Sequence, residues 1–164
     1  MSQTLLRFVK KLFLVRSTVS SSNQVSFPGK TVFFTFFFKY ILSTFSPLVV
    51  ATAANKASLA KSRGCMRTRS VNTEILFNLS SSSNITESLQ RFGVGDEDKE
   101  VLVVGVNNTL EDVREVVTGE WVGLDRLGSF LDKNALTKLH KLKPEELEDL
   151  TGSLCSRIAA KDAL

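Results

Sequence analysis

The clearest alternation of apolar and polar residues along the chain lies between residues 74 and 79. Ile75, Phe77 and Leu79 fall on one face of an extended segment there. A period of two is typical of a strand that has one face against a core. We therefore predict a strand over Glu74–Leu79.

A short helix is predicted directly after this strand. Four serines separate the two elements, and Asn84 then offers an N-cap, with Glu87 three residues later at the spacing of a capping box. Apolar residues recur at helical spacing over Thr86–Phe92. Gly93 is expected to end this helix, because glycine readily adopts the conformation that follows a helix.

Apolar residues at helical spacing also predict a helix over Pro47–Lys61, and a run of valines predicts a strand over Val101–Val106. Short helices are expected at Thr109–Val117, Leu124–Leu131 and Ala135–Leu139. A last helix is predicted over Glu145–Ala163, since Pro144 suits a first turn. Its apolar stripe comprises Leu147, Leu150, Leu154 and Ile158. Strands and helices in this order predict an α/β fold, a small mixed sheet covered by helices.

Charge is divided unevenly along the 164 residues, although the net charge is only +4. Residues 1–73 contain eleven Lys or Arg and no Asp or Glu, whereas residues 74–164 hold all seventeen carboxylates. We call residues 56–69 the basic segment; its cations are Lys56, Lys61, Arg63, Arg67 and Arg69. Such a segment suits a run of phosphates, and equally a solvated helix end. It has no aromatic residue, so base stacking is not predicted.

The first 46 residues differ from the rest, because they contain a low-complexity run with five phenylalanines at residues 33–38. Three interpretations stay open. T-rich non-coding sequence encodes such residues, which would make the segment a gene-model artefact. An acid-free stretch with Arg, Lys and Ser also fits a transit peptide. Residues 31–54 are long enough for a membrane anchor, although Lys39 and Pro47 weaken that interpretation.

Side chains suited to catalysis are few. The single histidine, His140, is expected to be an exposed helix residue. Cys65 and Cys155 lack the C-x-x-C spacing of zinc and redox sites, so both are expected to be free thiols. No glycine-rich phosphate loop follows a strand. We therefore expect no enzyme activity, no metal and no cofactor.

Four segments in order carry a resemblance to a known family. They are AANKA at Ala53–Ala57, MRTRSVNTEILFNLS at Met66–Ser80, NITESLQRFGV at Asn84–Val94 and CSRIAAKDAL at Cys155–Leu164. Together they resemble the small kinase-binding subunit of the KEOPS/EKC complex, the TPRKB family. The resemblance covers residues 47–164 and not residues 1–46. It implies an N-terminally truncated domain at 47–164, which lacks the family's first strand and helices.

The resemblance further implies a non-catalytic accessory subunit that acts with a kinase in tRNA modification. The residues expected to dock a small Bud-type kinase are Leu147, Leu150, Leu154 and Ile158, although the same stripe would also serve to cover the chain's own sheet. The subunit would help to present tRNA for threonylcarbamoyladenosine formation. The residues expected to contact tRNA are Lys56, Lys61, Arg63, Arg67 and Arg69.

A rival hypothesis is a membrane- or organelle-directed protein that keeps the family fold without a role in the complex. The expected location is the nucleus and cytoplasm, or the mitochondrion if residues 1–46 are a transit peptide. A membrane is not an expected partner of the accessory subunit.

Overall fold

The computed structural model describes residues 9–16, 33–37, 46–93, 100–106, 111, 114, 120–122 and 133–161. Its strands are β1 (Val9–Arg16), β2 (Phe33–Phe37), β3 (Glu100–Val106) and β4 (Glu120–Val122). Its helices are α1 (Pro47–Ser62), α2 (Val71–Leu79), α3 (Ile85–Phe92), α4 (Lys133–His140) and α5 (Leu150–Ala160), with a 3₁₀ turn at Pro144–Leu147. Helices contribute more of the described residues than strands do, so the α/β prediction is met in part.

The described strands form one sheet in the order β2-β3-β1-β4. Val106 of β3 lies opposite Phe33 of β2 on one side and Val9 of β1 on the other. The described pairings are all antiparallel, so they do not include the parallel pair that a mixed sheet requires. Both neighbours of β3 come from residues 1–46. The boundary at residue 46 stays a prediction, but parts of that segment belong to the sheet.

The strand predicted over Glu74–Leu79 is wrong, because these residues form most of helix α2. Ser70 caps the helix: its hydroxyl accepts the Thr73 backbone N–H at 3.2 Å, and the Ser70 N–H donates to the Thr73 hydroxyl. The helix lies against both α1 and β2. Its buried residues are Val71, Glu74, Ile75, Leu76, Phe77, Asn78 and Leu79. Because nearly every side of α2 is buried, its sequence lacks the polar face that normally reveals a helical period.

The helices predicted at Pro47–Lys61, Thr86–Phe92 and Ala135–Leu139 are confirmed within one or two residues at each end. So is the strand predicted at Val101–Val106. The predicted helix Leu124–Leu131 lies outside the described residues. Thr109–Val117 does so as well except at positions 111 and 114, which are helical.

The last predicted helix is interrupted near its start. Pro144–Leu147 forms a 3₁₀ turn, and α5 begins only at Leu150. Asp149 starts the second helix, because its carboxylate accepts the backbone N–H of Gly152 at 3.0 Å as an N-cap. The prediction Glu145–Ala163 is therefore right over Leu150–Ala160, whereas its first turn is 3₁₀ and residues 162–163 lie outside the described residues.

The core lies where α1, α2 and α5 meet. Alanines supply much of the buried face of α1, which lets the other two helices approach it closely. The buried apolar residues of this cluster are Val49, Val50, Ala51, Ala53, Ala54 and Ala57 of α1, Val71, Ile75, Leu76 and Leu79 of α2, Leu154 and Ile158 of α5, and Phe92, Leu136 and Leu142. Among the described helices, none combines the length and apolar character needed to cross a membrane.

Candidate functional site

The basic segment begins on α1 and continues through the turn that ends it. The Cys65 N–H donates to the Ala60 carbonyl at 2.9 Å, and the Gly64 N–H donates to the Lys61 carbonyl at 3.1 Å. Gly64 has a φ of +65°, a conformation that is costly for any residue with a Cβ. This glycine therefore allows the chain to leave α1 sharply and enter the loop of residues 65–70.

A buried carboxylate holds that loop against α2. Glu74 is only 3% exposed. Its oxygens accept the backbone N–H of Arg67 at 3.3 Å and, from Thr68, the backbone N–H at 2.8 Å and the hydroxyl at 2.6 Å. These three hydrogen bonds replace the water that the carboxyl group loses on burial. The loop backbone is thus tied to the first turn of the following helix.

Exposed and half-buried residues alternate along this loop. Arg67 and Arg69 are exposed, whereas Thr68 and Ser70 are half-buried. Lys61 and Arg63, at the end of α1, are exposed as well. The structure therefore brings four of the five predicted tRNA-contacting cations to the surface near the junction of α1 and α2: Lys61, Arg63, Arg67 and Arg69.

Lys56, the fifth cation, is positioned differently. Its Nζ donates to the backbone carbonyls of Ile158 at 2.7 Å and Ala159 at 3.3 Å, in the last turn of α5. Carbonyls at the C-terminal end of a helix have no partners within the helix, and a cation there also opposes the negative end of the helix dipole. Lys56 therefore caps α5.

The predicted kinase-contacting stripe is divided between core and surface. Leu154 and Ile158 are 2% and 3% exposed and pack in the chain's own core. Leu150 is half-buried against the same core, and Leu147 is 38% exposed. The assignment of these residues to a kinase interface stays a prediction. Of the four residues in this stripe, Leu147 and part of Leu150 offer surface to a partner.

A groove of about 580 Å³ runs between α1 and α5. Small residues of α5 form one wall, namely Cys155, Ser156 and Ala159. The α1 wall includes Lys56, Leu59 and Arg63. Leu59 is 45% exposed, an apolar surface that the sequence analysis missed because it considered only the apolar stripe of the last helix. Cys65 and Cys155 both line the groove and are free thiols, as expected.

A smaller cavity of about 240 Å³ lies on another side of α5, and its lining includes three cations, Arg67, Arg157 and Lys161. Arg157 forms two bonds to the Glu146 carboxylate, at 2.7 and 2.8 Å, and donates to the His140 carbonyl at 2.9 Å. The hydrogen bond from Arg157, followed by the Lys143 backbone N–H, lowers the pKa of Glu146 to about 2. Lys161 donates to the backbone carbonyls of Phe77, in the last turn of α2, and of Ser80, directly after that helix. Arg157 and Lys161 therefore join α5 to the neighbouring elements.

The expectation of an exposed His140 is wrong. The residue ends α4 and is 3% exposed. Burial is the largest cause of a lowered pKa, and the positive charges of Arg157 and Lys161 act in the same direction; together they bring the pKa from 6.5 to about 4. The imidazole is therefore neutral near pH 7 and belongs to the packed interior. The sequence pattern did not indicate that His140 is buried, because α4 is short and lysines lie on both sides of the histidine.

Comparison with known proteins assigns the chain to a family. Residues 39–162 match the family described as kinase binding protein CGI-121. The chain belongs to this family. The resemblance stated from the four sequence segments is therefore confirmed, and the match begins at residue 39 rather than 47.

Several relatives are named as subunits of the EKC/KEOPS complex. The chain is 33% identical to subunit TPRKB of Danio rerio over 120 residues, which is 70% of this chain and 67% of that protein. It is 27% identical to subunit cgi121 of Schizosaccharomyces pombe over 58% of this chain and 60% of the relative. With subunit CGI121 of Gibberella zeae it shares 32% identity over 47% of this chain and 39% of the relative. The chain thus spans about two thirds of the first relative and less of the fungal ones.

Proposed function

We propose that this chain is a non-catalytic accessory subunit of a KEOPS/EKC complex. It binds a small Bud-type kinase and helps to present tRNA for threonylcarbamoyladenosine formation. Membership of the CGI-121 family carries this proposal, because the family is described as kinase binding and its relatives are named as subunits of that complex. Among the described residues, no group of three or more His, Cys, Asp or Glu side chains is placed to hold a metal ion.

The groove between α1 and α5 is our proposed kinase-docking surface. It adjoins the helix on which the sequence analysis placed the interface, and it differs from the predicted stripe in being open. Small side chains on α5 let a partner approach the helix backbone closely, and exposed Leu59 supplies apolar area at the α1 wall. Interfaces of this kind gain most of their affinity from a few buried contacts near the centre.

The test compares two adjacent alanines of α5. Ala159 lines the groove, whereas Ala160 lies beside Gly152 and Ser153 on another face, and both are exposed. Ala159→Glu should weaken kinase binding at least about tenfold, the size typical of a change at the centre of an interface. Titration calorimetry with the purified kinase measures this change.

Ala160→Glu is the matched control, because it adds the same charge to the same last turn of the helix. It should bind the kinase with nearly wild-type affinity. Equal loss in the two variants would mean that the added charge, and not the groove, matters. Wild-type affinity in Ala159→Glu would remove the groove from the interface.

For tRNA we propose the exposed part of the basic segment, namely Lys61, Arg63, Arg67 and Arg69. Neutralising phosphates releases condensed counterions, so clustered surface cations favour a nucleic acid even without base contacts. Because Lys56 caps α5, we expect it to contribute mainly to the stability of the fold. The RNA contribution of this residue is therefore expected to be small.

We further propose a nuclear and cytoplasmic location, with the mitochondrion as the alternative. The competing hypothesis, an organelle-directed protein without a role in the complex, makes a different prediction. A tagged chain that enters mitochondria and does not co-purify with the kinase would favour that alternative. Co-purification from the nuclear and cytoplasmic fractions would support the accessory subunit.

A further inference from the structure

Glu74 is an ionisable residue in the first turn of α2, and it is 3% exposed. A buried carboxylate is costly unless hydrogen bonds replace the water that it loses. Three donors do so here, and all of them belong to Arg67 and Thr68 of the basic segment. The carboxylate is therefore satisfied by the loop, and the loop in turn is fixed by the carboxylate.

The same loop is held at its other end by the cap of α2. Ser70 and Thr73 exchange the two hydrogen bonds of a capping box, each at 3.2 Å. The backbone from residue 67 to residue 70 is thus tied to the first turn of a core helix at several points. The exposed side chains that this backbone carries are those of Arg67 and Arg69.

We propose that Glu74 is a positioning residue for RNA binding: it orders the loop so that Arg67 and Arg69 are presented together to phosphates. This inference rests on the proposed tRNA role of the basic segment. Ordering a loop during binding lowers affinity, and a loop that is ordered beforehand avoids that loss. A negatively charged residue would in this way strengthen the binding of a negatively charged ligand.

The negative charge of Glu74 and its proposed positioning role predict opposite effects of Glu74→Gln on RNA affinity. This difference provides the test. Glu74→Gln removes one negative charge close to the two arginines, so electrostatic attraction alone predicts tighter RNA binding. The amide nitrogen of glutamine is a donor, and it would face the N–H groups of the loop. Positioning therefore predicts weaker binding, by roughly three- to tenfold if a few side chains must be ordered anew.

The measurement is fluorescence anisotropy of a labelled, unmodified tRNA transcript with the full-length chain, at several salt concentrations. Glu148→Gln is the control, since Glu148 is exposed on the turn before α5 and its loss changes the net charge equally. It should leave affinity unchanged or slightly higher. Binding by Glu74→Gln that equals or exceeds that of Glu148→Gln would overturn the proposal.

A second variant tests the positioning role independently, in case Glu74→Gln unfolds the protein. Thr68→Val keeps the size of the side chain and the charge of the protein, but it removes the hydroxyl donor at 2.6 Å. It should weaken RNA binding in the same direction by a smaller factor. Amide hydrogen exchange should quicken at residues 67–68 but stay slow in α1. Weaker binding with unchanged exchange in the loop would contradict a positioning role.

Failure of this inference can be told apart from failure of the proposed function. If wild-type protein binds tRNA and Arg67→Ala with Arg69→Ala weakens it, the RNA role stands whatever Glu74→Gln does. If the double arginine variant binds as well as wild type, the RNA site lies elsewhere, and the positioning role falls with it.

Discussion

Leu154 shows at the scale of a single residue how the structure changes the meaning of a sequence pattern. It is 2% exposed and packs with α1, so Leu154→Ala should lower the free energy of unfolding by about 2–5 kcal/mol. Leu147→Ala is the control, because 38% of that leucine is exposed and its truncation should cost about 1 kcal/mol or less. Urea unfolding followed by circular dichroism measures both. Similar losses in the two variants would contradict the structure.

His140 makes a prediction about pH. Its pKa is about 4 in the folded chain against 6.5 for an ordinary histidine, so the unfolded chain takes up the proton first as pH falls. Stability that is present above pH 6.5 should therefore decline towards pH 4, by up to about 1.4 kcal/mol per pH unit. Thermal melts between pH 7.5 and 5 measure this slope. His140 is the single histidine of the chain, which makes the slope easy to assign.

His140→Gln is the variant that isolates the effect. It should be less stable than wild type at pH 7.5, because the packing changes, but its melting temperature should vary much less between pH 7.5 and 5. If both proteins lose stability in parallel over that range, the titrating group is not His140.

At the scale of elements, two helices are capped by lysines from outside them. Lys56 of α1 caps α5, and Lys161 beyond α5 reaches the carbonyls at the end of α2 while its ammonium lies 3.6 Å from the centre of the Phe77 ring. Charged hydrogen bonds of this kind contribute about 1.5–3 kcal/mol each. They join the three helices of the core by their ends as well as by their apolar faces.

Replacing Lys56 separates this structural role from an RNA role. Lys56→Gln should lower the free energy of unfolding by about 1–2 kcal/mol, because the last carbonyls of α5 lose a charged donor. The salt dependence of tRNA binding should stay as in wild type. Lys61→Gln should behave in the opposite way, with stability within about 0.5 kcal/mol of wild type and a shallower salt dependence. A shallower salt dependence in Lys56→Gln would return this lysine to the RNA surface.

At the scale of the whole molecule, the RNA proposal predicts a measurable dependence on salt. The logarithm of affinity should fall by about 0.7 per phosphate neutralised for each unit of the logarithm of salt concentration, if the RNA is single-stranded. Arg67→Ala combined with Arg69→Ala should reduce that slope by about one to two. Different tRNA bodies should be affected alike, since phosphate contacts carry no sequence information.

The control for this double variant changes two exposed lysines far along the chain, Lys138 and Lys143, to alanine. The net charge falls by the same amount in both variants. If the two double variants reduce the slope equally, general charge and not the basic segment governs RNA binding.

Local signals explain what could be predicted from the sequence. Asn84 before α3 and Pro47 at the start of α1 act on neighbouring backbone groups, so the sequence by itself determined these boundaries. Gly93 does end α3, but with φ −76° and not in the left-handed conformation; a Cβ there would lie 2.5 Å from the Leu89 carbonyl oxygen. The four quoted segments also sufficed to indicate the family, which the match over residues 39–162 confirmed. Four of the five cations predicted to contact tRNA lie at the surface, as charged side chains next to a glycine turn usually do. The structure alone showed that the fifth, Lys56, caps α5.

Contacts between distant parts of the chain decided the rest. The sequence of α2 predicted a strand because α1 and β2 bury nearly every side of this helix. The apolar and polar pattern of residues 74–79 does not show these contacts. Lys56 gained its role from carbonyls about a hundred positions further along, and β3 gained both its neighbours from the first 46 residues. Burial of His140 likewise depends on elements that come together only on folding. A sequence pattern reports which surfaces a segment would prefer to bury, and the tertiary structure alone decides what covers them.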